Sequence, residues 1–189
     1  ISGTVFFYDS YYRAETLKRT GAELGDDGKL VIYPACALEY ANGATNPIDA
    51  VCGLTSVLEG LLALPDLEAD RRARLERIQP TLPELPTGMR DGRLSLLPAR
   101  SFENEYNKQE PIEMYAAWPY RRVGITRPET LPLARDSWDT VPEHRDMCRV
   151  QDFSWTANVV NMAALAWPEK AKARAIFKMA NTTAPQARF

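Results

Sequence analysis

One histidine, His144, and three cysteines are all that this chain of 189 residues offers to a soft metal ion or to thiol chemistry. A centre built from several histidines is excluded, and a Ser-His-Asp triad would depend on that single imidazole. Cys36, Cys52 and Cys148 are odd in number and follow no ligand spacing, so neither a disulfide framework nor a metal site is indicated. Charge of one sign is scarce as well. With 23 basic and 25 acidic residues the net charge is −2, which gives no electrostatic footprint for nucleic acid or an anionic membrane. No apolar run is long enough to cross a bilayer, and no stretch has the build of a signal peptide. What remains is ordinary for a globular protein: 45% apolar and 25% charged residues, in a length sufficient for one well-buried region. The chain opens in an apolar run, Ile1 to Tyr8, and stops at Phe189 without a tail, which reads as an incomplete piece of a longer protein.

The stretch Lys29 to Leu64 organises the rest. Leu30-Val31-Ile32-Tyr33 is β-branched and aromatic and is stopped by Pro34, so it reads as a short extended segment. Asn46 fits a helix N-cap, Pro47 the first helical position, and Asp49 the first turn, where a negative charge suits the helix dipole. Val51, Leu54, Leu58, Leu61 and Leu62 then recur at helical spacing and predict a helix over Pro47–Leu64 with one buried stripe. Between the two elements lies Glu39, flanked by Cys36, Ala37, Leu38 and Tyr40. A carboxylate in an apolar loop has a raised pKa if desolvated, as a general acid requires; if solvated, it is a plain loop residue or a partner for a backbone amide.

Further along, Thr4 to Tyr12 is aromatic enough to be buried, as helix or strand. Asp66 to about Gln79 reads as an outer, solvated helix with Glu68–Arg72 and Asp70–Arg74 at the favourable four-residue spacing. Four prolines between Pro80 and Pro98 exclude a continuous helix, while Asp91-Gly92 signals a turn into a short strand, Arg93 to Leu97. Phe102 to Pro111 bunches Glu103, Glu105 and Glu110 with two asparagines. In Ile112 to Ile125, Trp118 and its aromatic neighbours supply flat apolar surface, and Glu113, Arg121 and Arg122 supply hydrogen bonds. That combination suits a pyranose, and it suits equally a core helix broken by Pro119. Thr130 to Trp138 reads as helical. Ser154 to Trp167 is apolar nearly all round and predicts a buried inner helix, followed from Pro168 by an outer one with Ile176 and Met179 inward. Asp152, just ahead of Ser154, is a helix cap by the common reading or a second functional carboxylate.

The order of an extended apolar segment, Pro34-Ala35-Cys36-Ala37-Leu38-Glu39, a glycine-containing loop, Asn46-Pro47-Ile48-Asp49 and an apolar helix resembles bacterial six-hairpin glycosidases. The nearest is glycoside hydrolase family 95, the α-L-fucosidases and α-L-galactosidases, over roughly Lys29 to Asn181. The family's motif is Pro-Ser-x-Ser-Pro-Glu; this chain keeps the proline and the glutamate. Glu110-Pro111-Ile112-Glu113 is similar to a family Glu-Pro-Gly-His-Arg-His segment, without its histidines. The resemblance implies a mainly all-α fold, part of an (α/α)6 toroid with short strands and long loops, with residues 1–189 a single region from its C-terminal portion. It implies an inverting hydrolase of α-linked deoxy- or L-sugars, with Glu39 as general acid and Asp152 on the water side, before Ser154-Trp155. Asn46, Glu113, Trp118, Arg121 and Trp155 are then the expected sugar contacts. No metal or cofactor is expected. The expected partner is an oligosaccharide or polysaccharide, with the rest of the chain or another subunit completing the site, in a periplasmic or secreted protein. A non-catalytic carbohydrate-binding relative and a helical interaction domain are the alternatives.

Overall fold

The computed structural model describes residues 1–38, 41–105, 111–141 and 157–181. They are mainly helical, with six α-helices and a few short antiparallel strands among them, and no helix there is long and apolar enough to cross a membrane. Two compact units form, one from residues 1–87 and 97–106, the other from 88–96 and 107–189.

The first unit is built on three helices. The aromatic N-terminal stretch is helical: α1 spans Ser2–Thr20 and ends at Gly21, whose φ of 82° allows its N–H to reach the Leu17 carbonyl at 2.9 Å. Helix α2 spans Ile48–Leu62 and α3 spans Ala69–Ile78. Val5 and Tyr12 from α1, Val51, Leu54 and Leu58 from α2, and Leu75 and Ile78 from α3 close one core around Leu30 and Ile32. Of the stripe expected on the central helix, Val51, Leu54 and Leu58 are buried, while Leu61 and Leu62 pack against that core only partly buried. Leu30 to Tyr33 joins no strand ladder; Leu30 N–H instead donates to the Thr81 carbonyl at 2.7 Å. The ladder begins after Pro34, with β1 (Ala35–Ala37), β2 (Ala41–Ala44) and β5 (Asn104–Glu105) antiparallel in the order β1-β2-β5.

Two expectations about α2 and α3 change. Asn46 does not cap α2, because Pro47, extended at φ −63° and ψ 141°, holds the cap position. The free N–H of Ile48 is instead satisfied by the Pro98 carbonyl at 2.8 Å. On α3, Arg72 and Arg74 do not pair with Glu68 and Asp70. Arg72 donates to the carbonyls of Leu62 and Leu64 at 2.9 and 2.7 Å, placing a cation at the C-terminal end of α2, where carbonyls lack helical partners. Arg74 lies over the Phe6 ring at 4.0 Å, and Glu68 pairs with Arg71. Contact with neighbouring elements outcompetes the weak surface pairing.

In the second unit Asp91-Gly92, both at positive φ, turns β3 (Thr87–Arg90) into β4 (Arg93–Leu96), as the sequence predicts. Helix α4 (Leu131–Asp139) packs on β4, and its Ser137 hydroxyl accepts from the Leu96 N–H at 2.7 Å. Helices α5 (Asn158–Ala164) and α6 (Pro168–Asn181) pack on each other. The helix expected over Ser154–Trp167 to be buried nearly all round is, in its described part α5, buried on one side only. Asn158, Asn161 and Leu165 face inward, whereas Val160 is 41% exposed. The described helix is short, with Ala166 at φ 57° just beyond its end, and its Ala164 carbonyl accepts from Ile125 N–H at 2.8 Å. On α6, Ala171 is buried, but Met179 is 82% exposed and Ile176 is also outward, contrary to the expected inner face.

Candidate functional site

Glu39 and Tyr40, which join β1 to β2 in the chain, and Asp152 and Trp155 lie outside the described residues. The structure describes the residues that precede and follow these two in the chain. On one side Leu38 takes φ 47°, and the Cys36 thiol donates to its carbonyl. On the other, Gly43 at φ 60° lies so close to Glu103 that a Cβ would collide with that side chain. Glu103 in turn accepts a hydrogen bond from the Tyr33 hydroxyl at 2.8 Å, which raises the pKa of that phenol by favouring its protonated form. Arg19 donates to the Tyr33 carbonyl at 2.7 Å, tying α1 to the segment that enters the hairpin.

Asn46 is buried, and it works on the backbone. At φ 50°, a conformation that asparagine tolerates, it accepts from Ile32 N–H through Oδ1 at 2.8 Å and returns its own N–H to the Ile32 carbonyl at 2.9 Å. This reciprocal pair fixes the extended entry segment against the start of α2. Asn46 also borders a cavity of about 450 Å³ with Asp27, Lys29, Leu85, Pro86 and Arg100. Its apolar wall and opposed charges are of the size and character that small ligands occupy.

Asp49, three residues on, is the functional candidate the sequence undervalued. Burial raises its pKa above the ordinary carboxylate value, against the opposing effect of backbone N–H groups of Ala50, Leu38 and Asp49 itself. Its Oδ1 is buried without a hydrogen bond among the described residues. The carboxylate thus reaches back from the first turn of α2 to the residue preceding Glu39. Its place in Asn-Pro-x-Asp was the available signal; spacing alone does not reveal that the helix start is covered.

Glu113, Trp118 and Arg121 belong to the second unit. Glu113 is fully buried in a 3₁₀ turn (Ile112–Ala116) and accepts from the Arg90 guanidinium at 2.7 Å, an ion pair across the unit. Its carboxylate serves Arg90, a partner 23 residues away that no local pattern indicates. Trp118 is 38% exposed, with the Arg121 guanidinium 5.8 Å from its ring centroid. The Trp118 N–H donates to the Met114 carbonyl at 2.8 Å, anchoring the backbone beneath the open ring. Trp118 and Arg121 are together at the surface; Glu113 is beneath. Among the described residues no group of three or more His, Cys, Asp or Glu side chains is arranged to hold a metal ion.

Compared with protein-family models, with curated proteins and with solved structures, the chain finds no match in any of the three.

Proposed function

We propose that this chain is part of an inverting glycoside hydrolase of the six-hairpin, (α/α)6-toroid type, acting on α-linked deoxy- or L-sugars. The observation that carries the reading is the order of Pro34, Glu39 and Asn46-Pro47-Ile48-Asp49 running directly into the buried helix α2. The mainly helical build supports it, as does the hairpin frame. Leu38 at positive φ, the close Gly43–Glu103 approach and the partly desolvated Asp49 all lie within a few residues of Glu39 in the chain or in contact with those that do. In such a reaction Glu39 protonates the leaving oxygen while Asp152 acts on the side of the attacking water. The carboxyl groups of inverting enzymes stand about 6.5–9.5 Å apart to admit that water. The remainder of the chain or another subunit completes the site, and a periplasmic or secreted location suits the substrate.

In the full-length protein, Glu39→Gln should abolish turnover and leave substrate binding nearly intact, because only proton donation is lost. NMR of the first-formed sugar should show inverted anomeric configuration. Near-normal turnover by Glu39→Gln, or retention of configuration, overturns the assignment.

The open Trp118 ring beside Arg121 favours a second reading, a carbohydrate-binding relative without turnover. Trp118→Ala should then weaken sugar binding at unchanged thermal stability. A large loss of stability with unchanged affinity would make Trp118 a packing residue.

A further inference from the structure

A second concavity in the first unit, of about 280 Å³, is bordered by Asp9 and Arg13 of α1 and by Arg74, Arg77 and Ile78 of α3. Three guanidinium groups against the carboxylate of Asp9 and that of Glu23, which pairs with Arg13 from outside the lining, leave one positive charge in excess, on a chain whose net charge is −2. Surface arginines on a charged helix are ordinarily solvated and mobile, but two of these are not. Arg13 is mostly covered; its Nε donates to Asp9 at 2.6 Å and its Nη2 to the Thr81 hydroxyl at 3.2 Å, and the exposed Glu23 stands 3.6 Å away. Arg74 lies over the Phe6 ring, with Cζ 4.0 Å from its centroid, and donates to the Ser10 hydroxyl at 3.3 Å. Arg77, exposed one turn after Arg74, has no hydrogen bond or ion pair among the described residues. The cleft therefore combines two ordered guanidinium groups with one that is free to close on a ligand. Ordering in advance lowers the entropic cost of binding, and the planar fork of arginine matches a tetrahedral oxyanion in a two-point fashion.

We propose that this cleft binds a phosphate or sulfate group, free or as an ester on a larger molecule. The proposal does not depend on the glycosidase reading, since its residues lie on α1 and α3 and include none of the residues assigned to hydrolysis.

Calorimetric titration of the full chain at constant ionic strength tests it with three probes: inorganic phosphate, inorganic sulfate and a monosaccharide sulfate ester. At least one should bind saturably. Arg77→Gln should weaken that binding about tenfold, the loss of one charge-assisted hydrogen bond, and Arg77→Glu should abolish it. Lys172→Gln, which removes the same charge from an exposed position on α6, should leave it unchanged. Equal binding of the inorganic ions and the ester supports a site for the free anion; tighter binding of the ester supports the larger molecule. Absence of saturable binding by all three probes, or equal weakening in Arg77→Gln and Lys172→Gln, overturns the proposal. Because Arg77 is exposed, both of its variants should melt like the parent without anion, and this is checked in the same samples.

Discussion

Each unit of this protein withdraws a carboxylate from solvent, Glu113 wholly and Asp49 in part, and the two are compensated in different ways. Glu113 is enclosed completely and has Arg90 at 2.7 Å to balance its charge. Among the described residues Asp49 has no cation beside it; it has backbone N–H groups, a helix N-terminus and one oxygen without a hydrogen bond. A paired buried ion resists removal of its partner, because the charge left behind has no solvent. An unpaired one instead shifts its protonation equilibrium and can exist at lower cost as the neutral acid. The first arrangement is a lock, and the second is a group whose state depends on pH.

The largest expected effect converts the second unit's carboxylate into the condition of the first. Arg90→Met should lower unfolding free energy in urea by about 3 kcal/mol, by removing the guanidinium from a fully buried carboxylate. The double variant Arg90→Met/Glu113→Gln should recover most of that loss. If the single variant unfolds like the parent, the ion pair is not what compensates Glu113.

Next come two truncations that contrast the units' helices. Leu58→Ala in α2 empties a fully buried site and should cost about 3 kcal/mol, whereas Val160→Ala on the open side of α5 should cost less than about 0.5 kcal/mol. Similar losses at both positions would mean that α5 has another apolar neighbour. Gly43→Ala should cost about 1–2 kcal/mol, since it combines positive φ with a collision against Glu103. Adding Glu103→Ala should relieve the collision and leave only the backbone part of the loss.

The smallest effect has the opposite sign. The folded-state pKa of Asp49 lies above the ordinary carboxylate value of 3.8, so the folded state favours its protonated form. The stability associated with that shift is present below the unfolded pKa and is lost as pH rises through the folded value. Asp49→Asn cannot ionise and escapes that loss. Its melting temperature should exceed the parent's at neutral pH, and the gap should close as pH falls toward 3.8. A variant less stable than the parent at neutral pH would show that the hydrogen bonds from Leu38 and Ala50 outweigh desolvation.

The sequence by itself determined the elements whose causes are local. The 3.6-residue spacing from Val51 to Leu58 dictates α2 and its buried stripe, and Asp91-Gly92 dictates the β3–β4 turn because both residues accept positive φ. Tertiary structure alone decided what depends on distant partners. The apolar residues of α5 surround the helix, so composition could not say that Asn158 and Asn161 would face inward; its neighbours set that rotation. Asn46 was legible as polar and near a helix start, yet the N–H it serves belongs to Ile32, 14 residues away. The same holds for the candidate site. Glu39 and Asp49 could be named from a motif, but desolvation of Asp49 and enclosure of Glu113 by Arg90 arise only when separate segments fold over them. A charge's environment is a sum over everything packed around it, and no local spacing carries that sum.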